Sequence, residues 1–142
     1  MEAIKFTYTV PGDDFTAAGN ASADLKSKLK VMGVDSAALR AVSIALYEGE
    51  INLAIHAGGG TITALVYPDK VEMYLDDEGP GIADLDLAQT PGWSGASDEV
   101  RSLGFGAGMG IPNMKKYSDE FEIKSEVGVG THIKMTVYLK EE

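Results

Sequence analysis

Glu48 and Asn52 are a carboxylate and a carboxamide spaced four residues apart, and with His56 they recur at i, i+4 and i+8. On a helix that spacing makes one stripe. The amide oxygen of such a pair can ligate Mg²⁺, and the carboxylate can orient or deprotonate a nucleophile, a division of labour that suits phosphoryl transfer. Taken alone, the pair fits an ordinary solvated helix face better than a catalytic site. Asp76-Asp77-Glu78-Gly79-Pro80-Gly81-Ile82 ends an apolar run. A carboxylate there can accept a hydrogen bond from an exocyclic amine such as adenine's, and the two glycines let backbone pass close to a flat ring; a plain acidic turn is the alternative. Gly104-Phe105-Gly106-Ala107-Gly108-Met109-Gly110-Ile111 leads into a helical segment, and free N–H groups of such a loop and of a helix start can bind phosphate; a flexible loop is the alternative. Gly130-Thr131 opens the last apolar run and by itself says little.

Other nucleotide and metal sites are disfavoured by spacing. The glycine run is not G-x-G-x-x-G fed by a strand, and no G-x-x-x-x-G-K-[ST] occurs. The H-R-D and D-F-G signatures of eukaryotic-type protein kinases are absent. His56 and His132 are the only histidines, and neither has a zinc spacing. His56 is expected to cap a helix end and His132 to be a plain strand residue.

These groups need a scaffold. Residues 3–9 alternate as an edge strand, and Pro11-Gly12-Asp13-Asp14 is a turn. Phe15, Ala18, Ala21, Leu25, Leu29 and Met32 form one helical stripe, stopped by Gly33. Asp35 or Ser36 can cap a second helix that runs to about Ala57, with Leu39, Val42, Leu46, Gly49 and Leu53 on its core seam. Gly49 costs about 1 kcal/mol of helix propensity relative to Ala, and its missing side chain could admit a closely packed strand. Residues 61–67 and 71–77 are two strands joined by Pro68-Asp69-Lys70, with Val71, Met73 and Leu75 on one face. A short helix over 83–89 and a lid over 90–108 follow. A helix over 109–118 carries Pro112 in its first turn, and strands over 120–126 and 131–139 close the chain. This order predicts an α+β fold: a two-layer sandwich with helices on one face of a mostly antiparallel sheet, in a single domain over residues 1–142.

Bulk properties narrow the partners. The net charge is −10, from 12 basic and 22 acidic residues, which argues against nucleic acid as a ligand. It also means that phosphates must be held by a metal ion or backbone N–H groups. No run reaches the roughly 18 apolar residues of a membrane span, and the N-terminus lacks the pattern of a secretory signal. With no cysteine in the chain, disulfides and thiolate chemistry are excluded and a cytoplasmic location is the default expectation. Many of the 17 glycines cluster at 58–60, 79–81, 92–95 and 104–110, a distribution expected where backbone lies close to a ligand.

Together and in this order the motifs resemble the ATP-binding fold shared by gyrase, a class of heat-shock chaperones, histidine kinases and the MutL proteins, the GHKL or Bergerat-fold superfamily. Glu48-x-x-x-Asn52-x-x-x-His56-Ala57 resembles its N box. Asp77-x-Gly79-x-Gly81-Ile82 and Gly106-x-Gly108-x-Gly110-Ile111 resemble its two glycine boxes, and Gly130-Thr131 its final Gly-Thr. Within the superfamily, the chain is most similar to the compact bacterial serine/threonine kinases of the anti-sigma-factor type.

That resemblance implies ATP and Mg²⁺ as cofactors and transfer to a serine or threonine of a small STAS-type antagonist protein. A sigma factor is a second partner in some members, and a homodimer is compatible with the group. It further implies Glu48 as general base and Asn52 as Mg²⁺ ligand. Asp77 would bind the adenine amine, helped by Thr131, while Gly79, Gly81 and Ile82 line the base pocket. Gly106, Gly108, Met109 and Gly110 would meet the phosphates. The chain departs from the pattern in Gly49 inside the N box, and in a lid holding Trp93 and Arg101 but no lysine. Glu50 is a second carboxylate nearby, pointing about 160° away from Asn52 on an ideal helix. Two alternatives stay open: a nucleotide-gated binding module without transfer, and the catalytic piece of a histidine kinase acting in trans, for which 142 residues leave no phosphoacceptor helix pair.

Overall fold

The computed structural model describes residues 3–11, 19–56, 59–77, 110–126 and 129–140. Its elements are β1 (Ile4–Pro11), α1 (Asn20–Val31), α2 (Ser36–His56), β2 (Gly59–Val66), β3 (Lys70–Asp76), α3 (Gly110–Lys116), β4 (Glu120–Glu126) and β5 (Gly130–Tyr138). The strands form one sheet in the order β1-β2-β3-β5-β4, and every neighbouring pair is antiparallel.

Register explains which face the described helices cover. Phe6, Ala64, Met73, Met135 and Phe121 align across all five strands, as do Tyr8, Ile62, Leu75, Ile133 and Ile123. Alternate residues of a strand share a face, so these apolar rungs form the core side together with Val71 and Val137. The intervening rung is Thr7, Thr63, Tyr74, Lys134 and Glu122. Among the described residues the helices pack on the apolar side, as the alternation of the strands predicts.

α2 is the central support. Ala38, Val42, Ala45, Leu46, Leu53 and Ala54 are buried along it, which matches the expected seam; Leu39 is only partly buried. Asp35 is the cap: its Oδ2 accepts the Ala38 amide at 3.0 Å, satisfying one of the donors that a helix start leaves free. The other oxygen, Oδ1, accepts the Lys140 amide at 2.9 Å, so the same carboxylate fastens the chain beyond β5 to α2.

One expectation for α1 changes. The helix begins at Asn20 after Gly19, whose φ is 103°; Phe15 and Ala18 lie outside the described residues. Met32 is 41% exposed and does not join the core, because the helix ends at Val31 and the chain turns away through Gly33 at φ 82°. The helix over 109–118 is shorter, Gly110–Lys116, with Pro112 in its first turn. The expected helix over 83–89 and lid over 90–108 lie outside the described residues, as do Trp93 and Arg101.

Candidate nucleotide site

Two glycines bring the residues of the site together. At Gly49, a Cβ would stand 2.3 Å from Leu75 Cδ2 and 3.2 Å from Met114 Sδ. With no side chain at this position, α2 sits close to both β3 and α3. At Gly60, a Cβ would stand 2.5 Å from the Asp76 carbonyl oxygen and 2.9 Å from Leu53 Cδ2. The stretch of α2 from Glu48 to Leu53 therefore runs along the end of β3 where Asp77 emerges. Both glycines are demanded by packing, a role distinct from the ligand approach expected of the 58–60 cluster.

Glu48 is half-buried on α2, and its Oε1 accepts a hydrogen bond of 3.4 Å from Asn113 Nδ2 on α3. Burial pushes the Glu48 carboxyl above its ordinary value, and the Asn113 amide pulls it part of the way back. Asn52 is half-buried one turn further on. The carboxyl–carboxamide stripe is thus partly sheltered, in contrast to a fully solvated helix face.

Asp77 is only 5% exposed. Its amide donates to the Thr131 carbonyl at 3.1 Å, and its Oδ1 accepts the Thr131 amide, also at 3.1 Å. Ser125 Oγ lies 2.8 Å from Thr131 Oγ1 and donates to the Gly130 carbonyl at 3.2 Å. Gly130, at φ 145°, supplies a backbone conformation that favours glycine. Asp77 and Thr131, 54 residues apart in sequence, are therefore one hydrogen-bonded unit. Of the remaining expected site residues, Gly110 is the first residue of α3. Gly79, Gly81, Ile82, Gly106, Gly108 and Met109 lie outside the described residues.

Three residues were not singled out from the sequence as part of the site. Asn113 is the partner of Glu48, and Ser125 is the partner of Thr131. Glu50 is a buried structural carboxylate, 2% exposed. It accepts the Ala21 amide at 2.9 Å and the Ser22 amide at 3.0 Å. It serves as the missing cap of α1, whose own N-cap position makes no side-chain bond, and a carboxylate at a helix N-terminus also suits the helix dipole. The 160° offset from Asn52 was the available signal that Glu50 faces elsewhere. His132 is more than a plain strand residue: its Nδ1 lies 2.7 Å from Asp76 Oδ1 on the open face of the sheet. His56 ends α2.

The donor set suits a nucleotide with a hard cation. Asn52 offers a neutral carbonyl oxygen, and Mg²⁺ takes few protein ligands, completing its shell with water and phosphate. Asp77 offers a buried carboxylate already fixed in place. No group of three or more His, Cys, Asp or Glu side chains that could hold a metal ion occurs among the described residues.

The chain is similar to known proteins in both sequence and fold. The family model described as "Histidine kinase-like ATPase domain" matches residues 14–137. An "Anti-sigma F factor" of Caldanaerobacter subterraneus subsp. tengcongensis is 35% identical over 103 residues, covering 69% of this chain and 68% of the relative. "Serine/threonine-protein kinase RsbT" of Bacillus subtilis is 28% identical over 131 residues, covering 89% and 90%. Among solved structures, the RsbU and RsbW domains of Rv1364c from Mycobacterium tuberculosis align with a TM-score of 0.66 at 16% identity, over 98% of this chain. This chain spans 33% of that structure's length. The mycobacterial sensor histidine kinase MprB aligns with a TM-score of 0.54 at 14% identity, over 98% of this chain and all of the other. Those two likenesses concern the fold; the family models and sequence relatives carry the assignment. The chain belongs to the histidine kinase-like ATPase domain family and, within it, to the anti-sigma-factor type of serine/threonine kinase.

Proposed function

We propose that this chain, a single ATPase domain, binds ATP with Mg²⁺ and transfers the terminal phosphoryl group to a serine or threonine hydroxyl of a small STAS-type protein, as the kinase of a regulatory partner switch in the cytoplasm. The observation that supports transfer, as opposed to binding alone, is Glu48. A half-buried carboxylate whose proton affinity burial raises suits a general base, because basicity is what proton removal needs. Glu48 accepts the proton of the acceptor hydroxyl as the oxygen–phosphorus bond forms and the bond to the leaving ADP breaks. Asn52 holds the cation, whose charge neutralises the phosphates when it is bound. Asp77, kept in place by Thr131, receives the adenine amine. Gly79, Gly81 and Ile82 border the base, and Gly106, Gly108, Met109 and Gly110 offer backbone to the phosphates.

The test is transfer of labelled phosphate from ATP–Mg²⁺ to a STAS protein with a serine acceptor. Transfer should vanish with EDTA and fall at least about a hundredfold in Glu48→Gln. Nucleotide binding with no transfer to any STAS acceptor would defeat the kinase reading.

The name of the anti-sigma F factor relatives favours a second reading, in which bound ATP makes the chain competent to hold a sigma factor without transfer. Under it, Glu48→Ala leaves sigma-factor capture intact, whereas Asp77→Asn abolishes it.

A further inference from the structure

We propose that Asn113 is a positioning residue for Glu48: its side-chain amide, carried in on α3, holds one oxygen of the Glu48 carboxylate and leaves the other for the acceptor hydroxyl. The inference rests on reading Glu48 as the base.

Three observations carry it. The first is the contact, 3.4 Å from Asn113 Nδ2 to Glu48 Oε1, across 65 residues of sequence. That is long for a hydrogen bond, a length common for catalytic pairs in proteins without substrate. The second is what seats Asn113. The next residue, Met114, is fully buried, and its sulfur lies beside Leu75 Cδ2 at the notch left by the missing side chain of Gly49. Gly49 follows Glu48 directly, so the packing of Met114 beside Gly49 brings their chain neighbours Asn113 and Glu48 together. The third is the chemical type. A neutral amide orients a carboxylate at little cost to its basicity, whereas a lysine or arginine would lower its proton affinity strongly. Lys115 and Lys116 follow in the chain, and both are exposed. Glu50, the other carboxylate on this stretch of α2, is committed to the start of α1.

Asn113→Asp decides the matter, because it keeps the shape of the side chain and removes the donor. Asn113→Ala removes both. Three quantities are measured on the full chain: nucleotide affinity, kcat and KM in the transfer assay, and the Glu48 carboxyl titration followed by ¹³C NMR without nucleotide. Both variants should keep nucleotide affinity and KM for ATP within about twofold and lose at least about tenfold in kcat. Both should move the Glu48 titration to higher pH, Asp further than Ala because it adds a like charge. The inference is overturned if Asn113→Asp keeps wild-type kcat and an unmoved Glu48 titration. Glu48→Gln is the control. Full transfer in that variant removes the base itself, whereas its inactivity beside a fully active Asn113→Asp removes only the positioning role.

Discussion

At the scale of the residue, two carboxylates on one helix, Glu48 and Glu50, receive opposite environments two positions apart. Glu50 is buried and accepts two backbone amides. Glutamine there offers one acceptor oxygen and turns a donor toward an amide, so Glu50→Gln should cost about 2 kcal/mol, measured by urea unfolding. Glu48 is desolvated and accepts from a neutral partner, Asn113. Its folded proton affinity is raised, so the folded state holds the neutral form more tightly than the unfolded chain does. The stability tied to that proton is present below the ordinary glutamate range and is lost as pH rises through the raised folded value. Glu48→Gln should therefore raise Tm at pH 7, and the gain should disappear below about pH 4, where both states are protonated. Loss of transfer together with gain of stability is the pattern of a residue kept for function.

At the scale of the element, the site depends on how closely α2 approaches the sheet. Ala at position 49 recovers about 1 kcal/mol of helix propensity but forces the buried Leu75 aside. A side-chain end can yield, so Gly49→Ala should destabilise by about 1 kcal/mol net. Ala at position 60 meets the carbonyl of Asp76, which is held in the sheet. Gly60→Ala should cost about 3 kcal/mol and weaken nucleotide binding, because Asp77 follows the displaced carbonyl. Reversal of that ranking in thermal melts would mean that the strand ends yield more readily than the α2–β3 contact. The periodicities predicted the strands and α2 closely, since alternation and helical stripes are local properties. The start of α1 was not legible: Gly19 precedes it at positive φ, and its acceptors come from another helix.

At the scale of the whole molecule, Asp35 joins distant parts of the chain by capping α2 and holding Lys140. The Lys140 and Ala38 amides, in that order, keep its carboxyl below the ordinary aspartate range. A depressed folded value means that its contribution is present above about pH 4 and fades as pH falls through the lower folded value. Asp35→Asn should thus lower Tm at pH 7 and narrow the wild-type-to-variant gap progressively below about pH 4, checked by melts across acid pH. No helix among the described residues is long and apolar enough to cross a membrane. The net charge of −10 leaves phosphate binding to local donors.

The sequence by itself determined the sheet and its buried face, the length of α2, the family, and the stripe that carries Glu48 and Asn52. All of these are written in spacings of two to eight residues, where backbone geometry alone decides which side chains share a face. Only the tertiary structure decided what each chemical group touches. It paired Asp77 with Thr131 across 54 residues, Glu48 with Asn113 across 65, and Glu50 with the start of α1 across 29 and 28. Such partners are chosen by how helices and strands pack, through a Gly49 notch lined by Leu75 and Met114 and a Gly60 contact that brings α2 to the end of β3. No local spacing encodes that packing.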